Sequence, residues 1–474
     1  MPITRLSSVL QLLLRFAALA AFCLLLPVGG HAQDSAAAAD DEPKPATTVF
    51  PHSDSARWWV SGQVNVVFQA HPDFHALYSG PNSLSAQHEH ATSRVLTLYT
   101  GYELTKHTEV LFNLESAGGK GLSNALGMAG FTNVDVVRNP ALGSKPYVAR
   151  VMIHQVFDLG KKGKKEKEED NERTPMALFT KLPKRRLELR FGKMSVADYF
   201  DVNSVGSDSH LQFLNWTAVN DGAYDYAADT RGYTVAAMAE YEDSKWGVRF
   251  AEALMPKVAN GPALDADLLR ARAENIEFEF RPGLLPERKT IIRALSFINH
   301  ANMGSYRQAI DAFLDGTDPR PIIEAHRQQG RIKYGFGFNM EQELSKTVRV
   351  FGRVGWNEGQ NESYAYTEVD QETEVGADWR LERWKRPVDK IGIAFITNGI
   401  SRLHQLYLAL GGNGFLLGDG RLTYGREDIL ETYYTAHLWR GVYISPELQW
   451  AVHPGYNQDR GPVIVPGLRL HLEL

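Results

Sequence analysis

Residues 185–193 read RRLELRFGK, with Arg186, Glu188 and Arg190 two apart and Leu187, Leu189 and Phe191 between them. Two guanidiniums flanking a carboxylate offer donors and acceptors that could hydrogen-bond a polar solute, and a strand puts all three on one side. The arrangement recurs at Glu109, Asn113 and Glu115, at Arg150 and His154, and at Asn275, Glu277 and Glu279. It recurs again at Arg349 and Arg353, at Glu431 and Tyr433, at Glu447 and Gln449, and at Arg469, His471 and Glu473 in the closing VPGLRLHLEL. Catalytic signatures are missing: the sequence holds no G-x-S-x-G, no H-E-x-x-H and no Walker glycine loop, so no enzyme is expected. The trio His88-Glu89-His90 reads as a solvated loop, and neither metal nor cofactor is expected.

The elements that must position these residues are strands. Alternation predicts about sixteen, near 57–70, 93–105, 108–116, 147–158, 186–194, 232–242, 245–254, 271–281, 288–299, 330–342, 346–357, 370–380, 389–398, 429–439, 441–453 and 462–474. It is blurred in 288–299 and 389–398. A half-buried strand of a soluble sandwich alternates in the same way as one in a membrane barrel, so strands alone leave both open. The links separate them. Every second link is short, as in TKH after 105, EDS after 242 and RG at 440–441, while those covering 71–92, 117–146, 195–231, 255–270, 300–329, 357–369 and 399–428 are long. Short turns on one rim and long loops on the other mark an outer-membrane barrel, with periplasmic turns and extracellular loops. One link departs: 159–185, containing the charged run 161–173, falls where a short periplasmic turn is due and reads as a solvated insertion, or as a docking segment for a periplasmic partner.

The N-terminus agrees with export. Arg5 and Arg15 precede an apolar run, Phe16–Val28, that ends in Gly30-His31-Ala32, so residues 1–32 read as a cleaved signal peptide and 33–56 as a disordered leader before a barrel over 57–474. The only cysteine, Cys23, lies in the signal, leaving no thiol chemistry in the mature chain. A net charge of −5 without a basic face argues against nucleic acid.

A barrel of sixteen strands encloses water. The inward faces then supply the candidate pore residues Glu115, Arg150, His154, Arg186, Arg190, Glu277, Arg349, Arg353, Glu447 and Arg469, a wall of donors and acceptors suited to neutral polyhydroxylated solutes. Two loops have the composition to fold inward and narrow the bore, 118–135 and 196–231. In the second, Phe200, Phe213, Trp216, Tyr224 and Tyr226 either offer faces for sugar rings or pack the loop onto the wall. SYRQAIDAFL at 305–314 reads as a short loop helix. By the same facing, Leu470→Arg should impair assembly and Arg469→Ala should be tolerated.

GLSNALGMAGF (121–131), LRFGKMSVADYFDVNS (189–204), FLNWTAVNDGAYDYAADTRGYT (213–234), DILETYY (428–434) and PELQWAVHPGYNQDRGPVIVPGLRLHLEL (446–474) resemble the bacterial carbohydrate-selective porins of OprB type. The resemblance implies a sixteen-stranded outer-membrane barrel through which carbohydrates diffuse passively, and it carries Arg190, Lys193, Asp198, Asp201, Trp216, Asp221 and Arg231 as motif residues. A general diffusion porin and a soluble periplasmic glycan-binding sandwich are the competing readings. Outer-membrane lipid and the barrel-assembly machinery are the expected partners, with a monomer or homotrimer both open. Two departures stand out: barrels of this type commonly end in Phe and this chain ends in Leu474, and the charged run 161–173 has no counterpart in the pattern.

Overall fold

A sheet with one greasy face can lie in lipid only if every backbone polar group is paired within it, which requires the sheet to close on itself. The computed structural model describes residues 46–139, 142–160 and 168–474, and its sheet closes. The first strand, β1 (Trp58–His71), pairs antiparallel with β2 (Glu89–Thr105) on one edge and with the last strand, β18 (Val463–Glu473), on the other. The closing register runs from Gln63 opposite Glu473 to Gln69 opposite Gly467. Between them stand β3 (Thr108–Gly119), β4 (Tyr147–Asp158), β7 (Arg186–Met194), β8 (Thr234–Glu242), β9 (Trp246–Leu254), β10 (Arg272–Phe280) and β11 (Thr290–Met303). The circuit continues through β12 (Gln328–Glu343), β13 (Val348–Asn357), β14 (Gln371–Leu381), β15 (Arg386–Gly399), β16 (Glu427–Trp439) and β17 (Val442–Val452). Each expected strand is present. The two with blurred alternation, β11 and β15, run four and one residues further at their C-terminal ends than the pattern indicated.

The facing follows the alternation. Phe112, Ile153, Phe191, Phe278, Phe336 and Leu470 are exposed on the lipid side, and their neighbours Asn113, His154, Glu277 and Arg469 are buried inside. Charge is thus kept off the middle of that face, where it would cost about 2–4 kcal/mol at the bilayer midplane. The periplasmic ends of the strands carry Trp58, Trp246, Trp379, Trp384 and Trp439, all exposed, forming the aromatic girdle expected at a lipid–water boundary. No helix among the described residues is long and apolar enough to cross a membrane.

On the extracellular side, the expected loop helix is present as Tyr306–Leu314 and packs against a second, Arg402–Ala409, with the Tyr306 and His404 rings stacked at 4.3 Å. The trio His88-Glu89-His90 is less loop-like than it read: Glu89 and His90 begin β2, and the Glu89 carboxylate accepts from the Ser123 amide at 2.8 Å.

Two segments on the periplasmic rim differ from their sequence reading. Of the leader, residues 33–45 lie outside the described residues, but the segment after them is held: the Val49 amide donates to the Glu473 carbonyl at 2.8 Å, and the Tyr443 hydroxyl donates to the Thr47 carbonyl. Of the charged run, 161–167 lies outside the described residues. The stretch from Glu168 to Pro183 is no solvated insertion. Residues β5 (Glu168–Asp170) and β6 (Lys181–Pro183) pair as a ribbon, and Leu178, Phe179 and Leu182 beside it are buried, because the apolar stretch PMALF has a wall to cover.

Candidate functional site

Inward-facing charges need partners once loops displace water, and here they find one another across neighbouring strands. His154 on β4 bridges Glu109 on β3 and Glu188 on β7, at 2.8 Å on each ring nitrogen. Arg190 joins Glu188 to Glu240 on β8, the latter at 2.7 Å, and Arg249 on β9 reaches Glu240 at 2.9 Å, Glu277 at 2.7 Å and Glu279 at 3.2 Å. Arg293 on β11 carries the chain from Glu279 to Glu341 on β12, both at 2.9 Å. Further round, Arg349 pairs with Asp378, Arg353 with Glu374 at 2.6 Å, and Arg469 with Glu447 at 2.6 Å.

This belt is also the seat of the long loop between β7 and β8. Arg249 donates to the Tyr199 carbonyl, Glu277 accepts the Asp201 amide, and Glu341 accepts the Ser204 amide. Arg353 lies 3.0 Å from the Asp201 carboxylate, Arg469 donates to the Ser209 and Gln212 carbonyls, and Glu431 accepts the Leu214 and Asn215 amides. Asp221 fits against a pair of glycines that face each other on the wall, Gly337 on β12 and Gly355 on β13. A Cβ at Gly355 would stand 1.9 Å from its carboxylate. Burial, and then the charge of Asp201, raise the Asp221 carboxyl to about 7.

The loop is therefore fastened to the wall from β9 round to β18, and the open bore lies against the other side. A cavity of about 380 Å³ remains there, walled by Gln63, Tyr99, Glu115, Tyr147 and Arg150 from β1 to β4 and by loop residues opposite. Arg150 grips Asp198 with two parallel bonds of 2.7 and 2.8 Å. The Tyr233 hydroxyl donates to Glu115 at 2.9 Å, and the Arg231 guanidinium lies over the Tyr147 ring at 3.9 Å. Trp216, on the short helix Trp216–Val219 capped by Asn215, stacks on Tyr366 with the planes 3° apart. Five carboxylates, Glu115, Asp135, Asp198, Asp208 and Asp229, share this lining with two guanidiniums, Arg150 and Arg231. Burial raises Asp229 although the Arg231 and Tyr233 amides donate to it. Burial acts in the same direction on Asp208, but the nearby His210 and Lys390 charges outweigh it and lower that carboxyl.

A family model described as carbohydrate-selective porin, OprB family, matches residues 82–474. The chain belongs to this family. OprB of Pseudomonas putida at high pH matches this porin with a TM-score of 0.65 at 14% identity, over 88% of this chain and 94% of that one, a likeness of fold. The low-pH structure of the same protein matches at 0.46 and 10% identity, over 88% and 92%, and the outer-membrane channel DcaP of Acinetobacter baumannii at 0.46 and 9%, over 90% and 100%. No curated protein matches the chain.

Of the residues that sequence reasoning placed along the solute path, Glu115, Arg150, Asp198, Trp216 and Arg231 line the cavity together. His154, Arg186, Arg190, Glu277, Arg349, Arg353, Glu447 and Arg469 face inward but are occupied in the ion-pair belt, with Arg186 2.5 Å from Glu188. Lys193 donates to the Val148 carbonyl at 2.8 Å, and Asp201 and Asp221, on the loop itself, are buried against the wall. The aromatics divide. Phe200, Phe213 and Tyr224 are buried in the packing between loop and wall, whereas Trp216 and Tyr226 reach the cavity. Tyr99, Tyr147, Tyr233 and Tyr366 line the porin's cavity and were not singled out. Tyr99 was open to discovery, since it shares its strand face with Thr97; Tyr366 sits in a loop that carries no periodic signal.

Proposed function

We propose that mono- and oligosaccharides cross the outer membrane through this cavity, passing between the Arg150–Asp198 and Glu115–Tyr233 pairs and the aromatic faces of Trp216, Tyr147 and Tyr366. The observation that supports this most is the lining itself. Stacked rings meet the C–H faces of a sugar while adjacent carboxylates and guanidiniums meet its hydroxyls. With five carboxylates against two guanidiniums, the bore favours neutral solutes over anions of the same size.

Liposome swelling with refolded protein tests the reading, using glucose, maltose, arabinose, gluconate and a charged amino acid of similar size. Faster swelling with glucose than with gluconate is the expected result. Equal rates for all solutes would make the protein a general diffusion porin, and no swelling would remove the channel.

A further inference from the structure

The ribbon on the periplasmic rim does more than cap it. Beyond β5 the chain turns at Thr174 and Ala177, whose amides and carbonyls exchange bonds of 2.9 and 3.2 Å, and this tip points into the barrel. Leu178 is fully buried: its amide donates to Glu109 Oε2 at 2.9 Å, and its side chain lies against Leu111 and over Gly101, where a Cβ would stand 2.8 Å from it. Asn113 Nδ2 approaches the Met176 sulfur at 3.5 Å. In the sheet register Asn113 sits between Tyr99 and Arg150, two residues of the cavity wall, so Met176 covers the wall beside the cavity without being part of its lining.

The tip is anchored on three sides. Arg173 donates to the Ser53 and Ala56 carbonyls at 2.5 and 2.6 Å and lies 3.4 Å from Glu103. Phe179 packs with Val156 and Leu182, its ring 5.7 Å from His154, the residue that bridges Glu109 and Glu188. The extracellular loop closes the bore against β9 to β18 and meets β4 through Asp198 and Arg150, and this tip covers the periplasmic part of β2 to β4.

We infer that residues 173–180 form a second constriction in series with the cavity, on its periplasmic side, and that Met176, held in place by the buried Leu178, limits the size of saccharide that leaves. The two narrowings divide the labour: the cavity sorts solutes by charge and hydroxyl pattern, and the apolar tip sorts them by bulk. The inference rests on the proposed function for the identity of the solute, not for the position of the narrowing.

The test compares Met176→Ala and Met176→Trp with wild type in single-channel conductance and in the maltose-to-glucose swelling ratio. Met176→Ala should raise both several-fold and Met176→Trp should lower both, while the glucose-to-gluconate ratio stays fixed. In residues 33–474, which hold no cysteine of their own, Met176→Cys introduces a single thiol of modest size, and a bulky thiol reagent added from the periplasmic side of the planar bilayer should cut conductance. Unchanged conductance in Met176→Trp and after thiol modification would overturn the inference, because solutes would then be passing elsewhere. Conductance that responds at position 176 in a protein that passes no sugar would overturn the solute assignment and leave the constriction standing.

Discussion

Arg469 stands between two leucines, and alternation alone marks it as a wet side chain that could be lost without harm. Its contacts reverse that expectation, because the guanidinium lies 2.6 Å from Glu447 and holds the Ser209 and Gln212 carbonyls. Arg469→Ala should insert and assemble but lose about 3–5 kcal/mol in denaturant unfolding, since it strands a buried carboxylate. Leu470→Arg should fail differently, folding in detergent micelles yet inserting poorly into bilayers; efficient insertion would contradict the facing. Asp221 gives a pH signature. Its carboxyl, raised to about 7 in the folded loop from about 3.9 unfolded, holds its proton more tightly in the native state. That contribution is complete below pH of about 4 and fades as pH rises through 7, so the thermal midpoint should fall between about pH 5 and about pH 8. Asp221→Asn should flatten that fall, and an unchanged slope would place its origin elsewhere.

At the scale of elements, the wall and the loop it holds were unequally legible. Each strand must satisfy lipid on one face, a constraint written into its own dozen residues, so Leu187-Glu188-Leu189 discloses its facing without reference to any other segment. The seat of the β7–β8 loop depends on pairs remote in sequence. Nothing local to Arg353 announces that it will hold Asp201, and Gly337 and Gly355 read as ordinary strand glycines until Asp221 is seen between them. For the same reason an inward-facing residue could be recognised but not sorted into one that meets solute, such as Arg150, or one consumed by the belt, such as Arg353. The glycine pair offers a direct test. Gly355→Ala should push Asp221 off the wall and change single-channel conductance. Gly352→Ala, whose Cβ would meet nothing closer than 3.6 Å, should not.

Across the whole molecule, the belt neutralises the wall and leaves the uneven charge of the cavity to face the solution. A potassium chloride gradient should therefore give a reversal potential of cation-preferring sign, diminishing as salt screens the lining. A potential of the opposite sign would mean that the carboxylates are masked. The fastening of the β7–β8 loop carries a further consequence. Its holders are spread from β9 to β18, and the last, Arg469, lies five residues before Leu474. The aperture cannot take its working dimensions until the seam between first and last strands is sewn, so a half-built barrel is a leak, and the cell's permeability is guarded by the final stitch.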